Sequence, residues 1–148
     1  MRYLGGVPEN PEAYGTEWIE RQMRRYQKDG TALAVIEDRE SGNIVGQCGI
    51  ICQKIDGVPE WEVGYHLLEA YRGKGYASEA ARACRDVIFK KDLGQRAVSI
   101  IMLTNTSSQK VARRTGMRVW KRTSYQEFDV VIYKIERSEW EVYQEQYA

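Results

Sequence analysis

The chain has 148 residues, of which 43% are hydrophobic and 29% charged, with no long uncharged apolar run. This composition is typical of a soluble globular protein and excludes a disordered chain or a helical membrane protein, so we expect one domain over residues 1–148. Lys and Arg number 22 against 21 Asp and Glu, and the net charge of +1 gives no general attraction to nucleic acid.

The start of the chain and its cysteines point to an intracellular protein without a metal. The opening segment, MRYLGGVPENPEAYG, holds no apolar stretch long enough for a secretory signal, so we expect a cytoplasmic location. Cys48, Cys52 and Cys84, with the single histidine His66, lack the spacing of metal ligands. We therefore expect buried free thiols and no metal ion.

The first half of the chain has the pattern of one helix and three strands. An amphipathic helix is predicted over 11–29 by helical spacing of Trp18, Ile19, Gln22, Met23 and Tyr26. The β-branched runs TALAVIED and NIVGQCGII, joined by RESGN, predict an antiparallel hairpin. A further turn, KIDGVPE, leads into a third strand, WEVGYHLL.

The second half predicts a helix from Ala77 to Lys91 and a central strand, AVSIIML, covered on both faces. The predicted order continues with a loop and short helix over 104–114 and the strands MRVWKRTSY and FDVVIYKIE. It ends with a charged tail, RSEWEVYQEQYA. This order predicts an α/β sandwich, in which helices flank a mixed, mostly antiparallel twisted sheet of about six strands.

The segment YRGKGYASEA, between a strand and a helix, is the strongest chemical signal. The first backbone amides of a helix lack intrahelical partners and create a positive potential. Gly73 and Gly75 let an anionic ligand come close to the backbone, and Arg72 and Lys74 add positive charge. We interpret it as a phosphate-binding turn; the alternative is a plain glycine turn. Gly75 after Lys74 excludes a Walker loop, and Ser78 at the third glycine position argues against a dinucleotide fingerprint.

Two segments resemble the signatures of the GNAT superfamily of acetyl-coenzyme A-dependent N-acetyltransferases. RGKGYA fits Arg/Gln-x-x-Gly-x-Gly/Ala, and NTSSQKVARRTGM is similar to the second signature at the matching distance. DVVIYKIERSEWE resembles the final strand of the branch that acetylates ribosomal-protein N-termini and its small-molecule relatives. MRYLGG resembles the end of the first helix of that branch and TEWIERQMRR its second helix. Members of the branch usually carry roughly 20 to 30 more residues ahead of these segments.

The resemblance implies a mode of coenzyme binding. The pyrophosphate of acetyl-coenzyme A would be held by the backbone amides of Arg72, Gly73, Lys74, Gly75, Tyr76 and Ala77. The pantetheine arm would pair with the strand edge at His66, Leu67 and Leu68, and Asn105 would contact it from the next strand end. The strands bearing Leu67 and Leu103 would then splay apart to admit the thioester.

Acetyl transfer to an amine requires a base and a proton donor for the leaving thiolate. Glu62 lies where many members of the superfamily carry the base; otherwise it is an exposed strand glutamate. His66, on the same strand face, could relay a proton or simply pack. The frequent tyrosine position of the family holds Ala112, and the resemblance to the ribosomal-protein branch implies Ser108 as the acid instead, with helix capping as its alternative. Tyr133 is a third candidate.

The acceptor stays open at this point. A peptide N-terminus, a polyamine or an aminoglycoside-like amine would suit the family, with neither nucleic acid nor membrane as partner. The alternative function is an acetyl-coenzyme A-binding regulatory module without transfer activity. Members of the branch usually begin with a strand that lies beside the TALAVIED strand. If this chain lacks that first strand, the edge of the TALAVIED strand would be uncovered, which favours a homodimer.

Overall fold

The computed structural model of the chain describes residues 11–147. The elements in chain order are α1 (Pro11–Asp29), β1 (Leu33–Glu37), β2 (Ile44–Ile55), β3 (Val58–Leu67), a 3-10 turn (Glu69–Tyr71), α2 (Tyr76–Lys90), β4 (Arg96–Met102), α3 (Thr106–Arg114), β5 (Arg118–Tyr125), β6 (Phe128–Glu136) and α4 (Arg137–Tyr147). The MRYLGG segment, and the expectation attached to it of a missing strand and helix, lie outside the described residues.

The six strands form one sheet in the order β1-β2-β3-β4-β6-β5. Every neighbouring pair is antiparallel except β3 and β4, which are parallel. The sequence-based prediction of a mixed, mostly antiparallel sheet is therefore confirmed. As predicted for the AVSIIML segment, β4 lies inside the sheet, while β1 pairs with β2 and is the edge strand among residues 11–147.

The two faces of the sheet carry separate apolar clusters. Residues of alternate positions, such as Val63, Ala97 and Ile101, pack against Ala81 and Ile88 of α2. The opposite face carries the cluster of Ile55, Val98, Val130 and Ile132. Because side chains alternate along a strand, successive residues of β4 serve the two clusters in turn, which is why this segment reads as a continuous apolar run.

The charged tail predicted at the end of the chain is a helix, and that prediction was wrong. The indole of Trp140 on α4 lies 5.1 Å from the ring of Phe89, centroid to centroid. The indole Nε1–H also donates a 2.8 Å hydrogen bond to Asp86, and Arg137 donates to the carbonyl of Phe89. The Trp140 side chain thus anchors α4, whose mostly polar sequence gave no clear helical pattern.

The apolar side of α1 is not covered by the described part of the chain, contrary to what its pattern led us to expect. Ile19, Met23 and Tyr26 are 54%, 59% and 65% exposed, whereas the polar Gln22 is only 6% exposed. The Gln22 Oε1 accepts a 3.0 Å hydrogen bond from the backbone N–H of Leu33 at the start of β1. A polar contact therefore holds α1 to the sheet.

The three cysteines are free thiols, with Cys48 buried and Cys52 and Cys84 half-buried. The Sγ atoms of Cys48 and Cys84 lie 3.7 Å apart. No helix in the described range 11–147 is both long enough and apolar enough to span a membrane.

Candidate active site

A slot opens in the middle of the sheet because β3 and β4 pair over only two positions. Trp61 pairs with Ala97 and Glu62 with Val98, and beyond them β4 follows β6 to Met102 while β3 follows β2 to Leu67. From Val63 to Leu67, β3 has a strand on one side only. The divergence leaves a cavity of about 140 Å³, lined by Glu62, Val63, Gly64, Tyr65, Ser99, Ile100, Ile101, Met102, Asn105 and Ser108.

The glycine segment forms the start of α2 with no side chain capping it. Gly75 is the N-cap residue with a φ of +89°, a left-handed conformation that glycine adopts without strain. The helical hydrogen bonds begin with Glu79 N–H to the Gly75 carbonyl at 3.0 Å. The amides of Tyr76, Ala77 and Ser78 therefore have no partner within the helix, which suits the binding of an anion.

A larger cavity of about 290 Å³ lies against this helix start. Seven of the ten residues predicted to bind coenzyme line it: His66, Leu67, Arg72, Gly73, Gly75, Ala77 and Asn105. Leu68, Lys74 and Tyr76 are not among its lining residues. Leu68 is 44% exposed, the Nζ of Lys74 lies 5.7 Å from the Tyr71 ring, and the Tyr76 hydroxyl donates to Asp38.

Ser78 is a polar residue of this cavity that the sequence analysis passed over as a failed glycine position. It is 4% exposed and lines the larger cavity, and its buried Oγ has no hydrogen-bond partner among the described residues. Buried hydroxyls without partners are uncommon, and a bound ion or water is one physical reason for them. The free helix amides and this hydroxyl therefore fit a phosphate group, so the residues present suit a diphosphate-bearing coenzyme.

Asn105 caps α3, and the capping role considered for Ser108 was wrong. The Asn105 Oδ1 accepts hydrogen bonds from the Ser108 N–H at 3.2 Å and the Ser107 Oγ at 3.1 Å, and the helix begins at Thr106. The Ser108 carbonyl accepts a 2.5 Å hydrogen bond from the Tyr65 hydroxyl. Tyr65, Asn105 and Ser108 line both cavities, so the two cavities adjoin at these three residues.

Glu62 lies inside the slot with its carboxylate turned toward β4. Its Oε2 accepts the Ile100 N–H at 3.3 Å, and its Oε1 accepts from the Gln53 side chain at 3.4 Å. Burial raises the pKa of Glu62 to about 7, against the opposing effect of these two hydrogen bonds and of the charge on Arg25. A carboxylate with such a pKa can take up and release a proton near neutral pH.

The other two residues considered for proton transfer lie elsewhere. His66 lines the larger cavity but not the slot that contains Glu62. Tyr133 is fully buried, and its hydroxyl donates a 2.9 Å hydrogen bond to the Gln109 Oε1. Within residues 11–147, no group of three or more His, Cys, Asp or Glu side chains is placed to hold a metal ion.

Comparison with known proteins assigns the family. The acetyltransferase (GNAT) domain model matches residues 1–118. The uncharacterized protein YkkB of Bacillus subtilis (strain 168) is 34% identical over 121 residues, which cover 82% of this chain and 69% of YkkB. The chain belongs to the GNAT acetyltransferase family, whose general activity is acetyl transfer.

Solved structures of acetyltransferases have the same fold. An acetyltransferase from Agrobacterium tumefaciens str. C58 is 28% identical, with a TM-score of 0.74 over 90% of this chain and 75% of that one. The ribosomal L7/L12 α-N-protein acetyltransferase RimL, solved in complex with coenzyme A, is 18% identical, with a TM-score of 0.72 over 86% of this chain and 73% of RimL. The second likeness concerns the fold alone.

Proposed function

We propose that the protein is an N-acetyltransferase that moves the acetyl group of acetyl-coenzyme A to a primary amine by direct attack in a ternary complex. One observation carries the proposal. The cavity at the start of α2 and the slot that contains Glu62 share three lining residues, Tyr65, Asn105 and Ser108, so the two reactants can meet there.

The larger cavity supplies the coenzyme site. The free amides at the start of α2 and the unpartnered Ser78 hydroxyl would bind the pyrophosphate, with charge from Arg72. The side of β3 that β4 leaves after Glu62, up to Leu67, would pair with the amides of the pantetheine arm as an added strand does. When bound, acetyl-coenzyme A supplies the activated acetyl group.

Glu62 would act as the base. A primary amine is mostly protonated near neutral pH and must lose a proton before or during attack. Burial gives Glu62 a pKa of about 7, which lets its carboxylate accept that proton directly or through one water.

Ser108 would donate the proton that the leaving thiolate requires. Its Oγ makes no hydrogen bond to any residue of the described chain, whereas its backbone N–H and carbonyl are held by Asn105 and Tyr65. The backbone of Ser108 is therefore fixed while its hydroxyl stays free to turn toward the sulfur. The fully buried Tyr133, engaged with Gln109, is a packing residue in this proposal.

The acceptor is a peptide N-terminus, a polyamine or an aminoglycoside-like amine. The experiment is a thermal shift with acetyl-coenzyme A followed by measurement of thiol release across a panel of these amines. Stabilisation together with amine-dependent thiol release supports the proposal. Stabilisation without thiol release from any amine would contradict the proposal and favour a coenzyme-binding module. If the coenzyme neither stabilises the protein nor releases thiol, both functions are excluded.

A further inference from the structure

The larger cavity carries three cationic side chains besides the free amides of its helix start. Arg72 lines it from the loop before α2, and Lys110 and Arg114 line it from α3. Within residues 11–147, no Asp or Glu side chain lines this cavity, and none of the three cations belongs to an ion pair. Because the whole chain has a net charge of only +1, this local excess of positive charge indicates an anionic ligand.

Lys110 and Arg114 lie on one side of α3, four residues and about 6 Å apart along the helix axis. The helix begins beside the slot, where Ser108 lines both cavities, whereas Lys110 and Arg114 line the larger cavity alone. Arg114 is about 9 Å further along the axis than Ser108. The two cations therefore belong to the part of the cavity wall that leads away from the slot.

The backbone of Arg114 also contacts α2 beyond the helix start. The Arg82 Nε donates a 3.4 Å hydrogen bond to the Arg114 carbonyl, and Arg82 follows Ser78 by four residues, so both lie on the same side of α2. The anion-binding groups of the cavity thus fall into two sets. One set is the free amides at the start of α2 with the Ser78 Oγ, which has no partner in the described chain, and the other is Lys110 with Arg114.

Two sets of donors suit a ligand with two anionic groups. The diphosphate of a coenzyme matches the helix start, with Arg72 as its counter-charge. Coenzyme A carries one further anionic group, the 3′-phosphate of its ribose, a monoester with a charge of about −1.5 to −2 near neutral pH. Arginine binds such a phosphate through paired N–H donors, and lysine binds it as a point charge.

We propose that Lys110 and Arg114 bind the 3′-phosphate of the coenzyme and thereby select coenzyme A over donors that lack this group, such as dephospho-coenzyme A. This inference rests on the proposed function, because it adds a subsite to the coenzyme cavity. Both cations are exposed whereas Ser78 is buried. The 3′-phosphate therefore lies at the mouth of the cavity, and the diphosphate lies deeper inside.

The test compares the binding of coenzyme A and dephospho-coenzyme A, which differ in the 3′-phosphate alone, by calorimetry at about 0.1 M salt. For the wild type we expect coenzyme A to bind roughly tenfold more tightly or better. The double variant Lys110→Gln/Arg114→Gln should bind the two coenzymes with affinities within about twofold of each other, and each single variant should lose part of the preference. The affinity for dephospho-coenzyme A should be the same in all four proteins.

Arg113→Gln is the matched control, because it removes the same charge from the same helix. Arg113 is exposed and does not line the cavity, and its guanidinium lies 5.6 Å from the centre of the Tyr133 ring. This variant should keep the full preference for coenzyme A. Thermal unfolding of the free proteins shows whether each variant folds, and the substituted side chains are all exposed.

The outcomes separate this inference from the function on which it rests. Equal affinities of the wild type for the two coenzymes would overturn the inference and leave the proposed function standing. A preference that persists in the double variant, or that is lost equally in Arg113→Gln, would also overturn it. The expected preference without thiol release from any amine would support the 3′-phosphate site and contradict transfer. If the wild type binds neither coenzyme, both the inference and the proposed function are wrong.

Discussion

The hydroxyl of Tyr76, the first residue of α2, donates a hydrogen bond to the carboxylate of Asp38 in the turn between β1 and β2. The same carboxylate accepts the N–H groups of Glu40 at 2.8 Å and Ser41 at 3.1 Å. These bonds, led by the one from Tyr76, lower the pKa of Asp38, so it is ionised at neutral pH. A hairpin turn is thereby tied to the helix start that would bind the coenzyme.

We expect Asp38→Ala to raise the KM for acetyl-coenzyme A several-fold with little change in kcat, because the start of α2 loses its support. Asp56→Ala is the control, since Asp56 lies in another hairpin turn and bonds Thr123 and Lys121. Tyr76→Phe should reproduce the effect, and the double variant should be no worse than either single one. Steady-state kinetics on both substrates measures this; additive effects would contradict the coupling.

Replacement of Gly75 by valine should abolish coenzyme binding. Its φ of +89° is strained for a β-branched residue by roughly 1–3 kcal/mol, so the helix start would change conformation. Gly57→Val, in the β2–β3 turn with a φ of +81°, imposes the same kind of strain away from the cavity and should keep binding. Calorimetric titration with coenzyme A distinguishes them; equal losses would mean that strain alone is responsible.

Ser78→Ala should weaken coenzyme binding without lowering the stability of the free protein. The Ser78 Oγ has no hydrogen bond to lose in the described chain, whereas that of Ser99 donates to the Val63 carbonyl at 2.8 Å. Ser99→Ala should therefore cost about 1 kcal/mol in the free energy of unfolding. Urea unfolding and coenzyme titration of both variants test the contrast, and unchanged affinity in Ser78→Ala would refute the phosphate role.

The rate of acetyl transfer should rise as the pH increases through about 7, the raised pKa of Glu62. Above this pH Glu62 is deprotonated, and its carboxylate can act as the base. Glu62→Gln should lower kcat at least tenfold and remove this inflection, while coenzyme affinity stays unchanged. The pH profile of kcat/KM for both proteins is the measurement. An identical profile in the variant would show that another group is the base.

The same pKa has a consequence for stability. Because folding raises the pKa of Glu62 from 4.5 to about 7, its contribution is fully present below 4.5 and is lost as pH rises through 7. Glu62→Gln removes the ionisable group. As the pH rises from 5 to 8, the free energy of unfolding of the variant should therefore decrease less than that of the wild type. Urea unfolding at several pH values measures the difference, up to about 3 kcal/mol.

Trp140→Ala should destabilise the protein by about 2 kcal/mol, because α4 loses its contact with Phe89 and its bond to Asp86. Val142→Ala on the same helix is the control, since Val142 is 54% exposed. Thermal unfolding of both variants measures the difference. A Trp140→Ala protein as stable as the control would mean that α4 does not dock in solution.

The order of strands and helices up to β6 followed from period and turn residues, which are local signals, whereas α4 was missed. Tyr76 shows what local signals miss: the sequence predicted a role for its backbone amide, but not that its side chain bonds a turn 38 residues earlier. Ser78 is a similar case, since the lack of a partner for its Oγ among residues 11–147 becomes visible only once burial is known. Glu62 was found through the family resemblance, but its raised pKa required the packed slot.

The short parallel junction between β3 and β4 divides the sheet into two halves that are each closed by antiparallel hairpins. The β1–β3 half comes entirely from residues 33–67, and the β4–β6 half from 96–136. Strand pairing between the halves is confined, within residues 11–147, to the Trp61–Ala97 and Glu62–Val98 positions. Side chains make the rest of the join, through the Ser99–Val63 and Ile100–Glu62 hydrogen bonds and the packing of α2 and α3. The gap that would admit a thioester therefore leaves few interstrand hydrogen bonds at the centre of the sheet. We expect partial unfolding to separate the two halves at the β3–β4 junction.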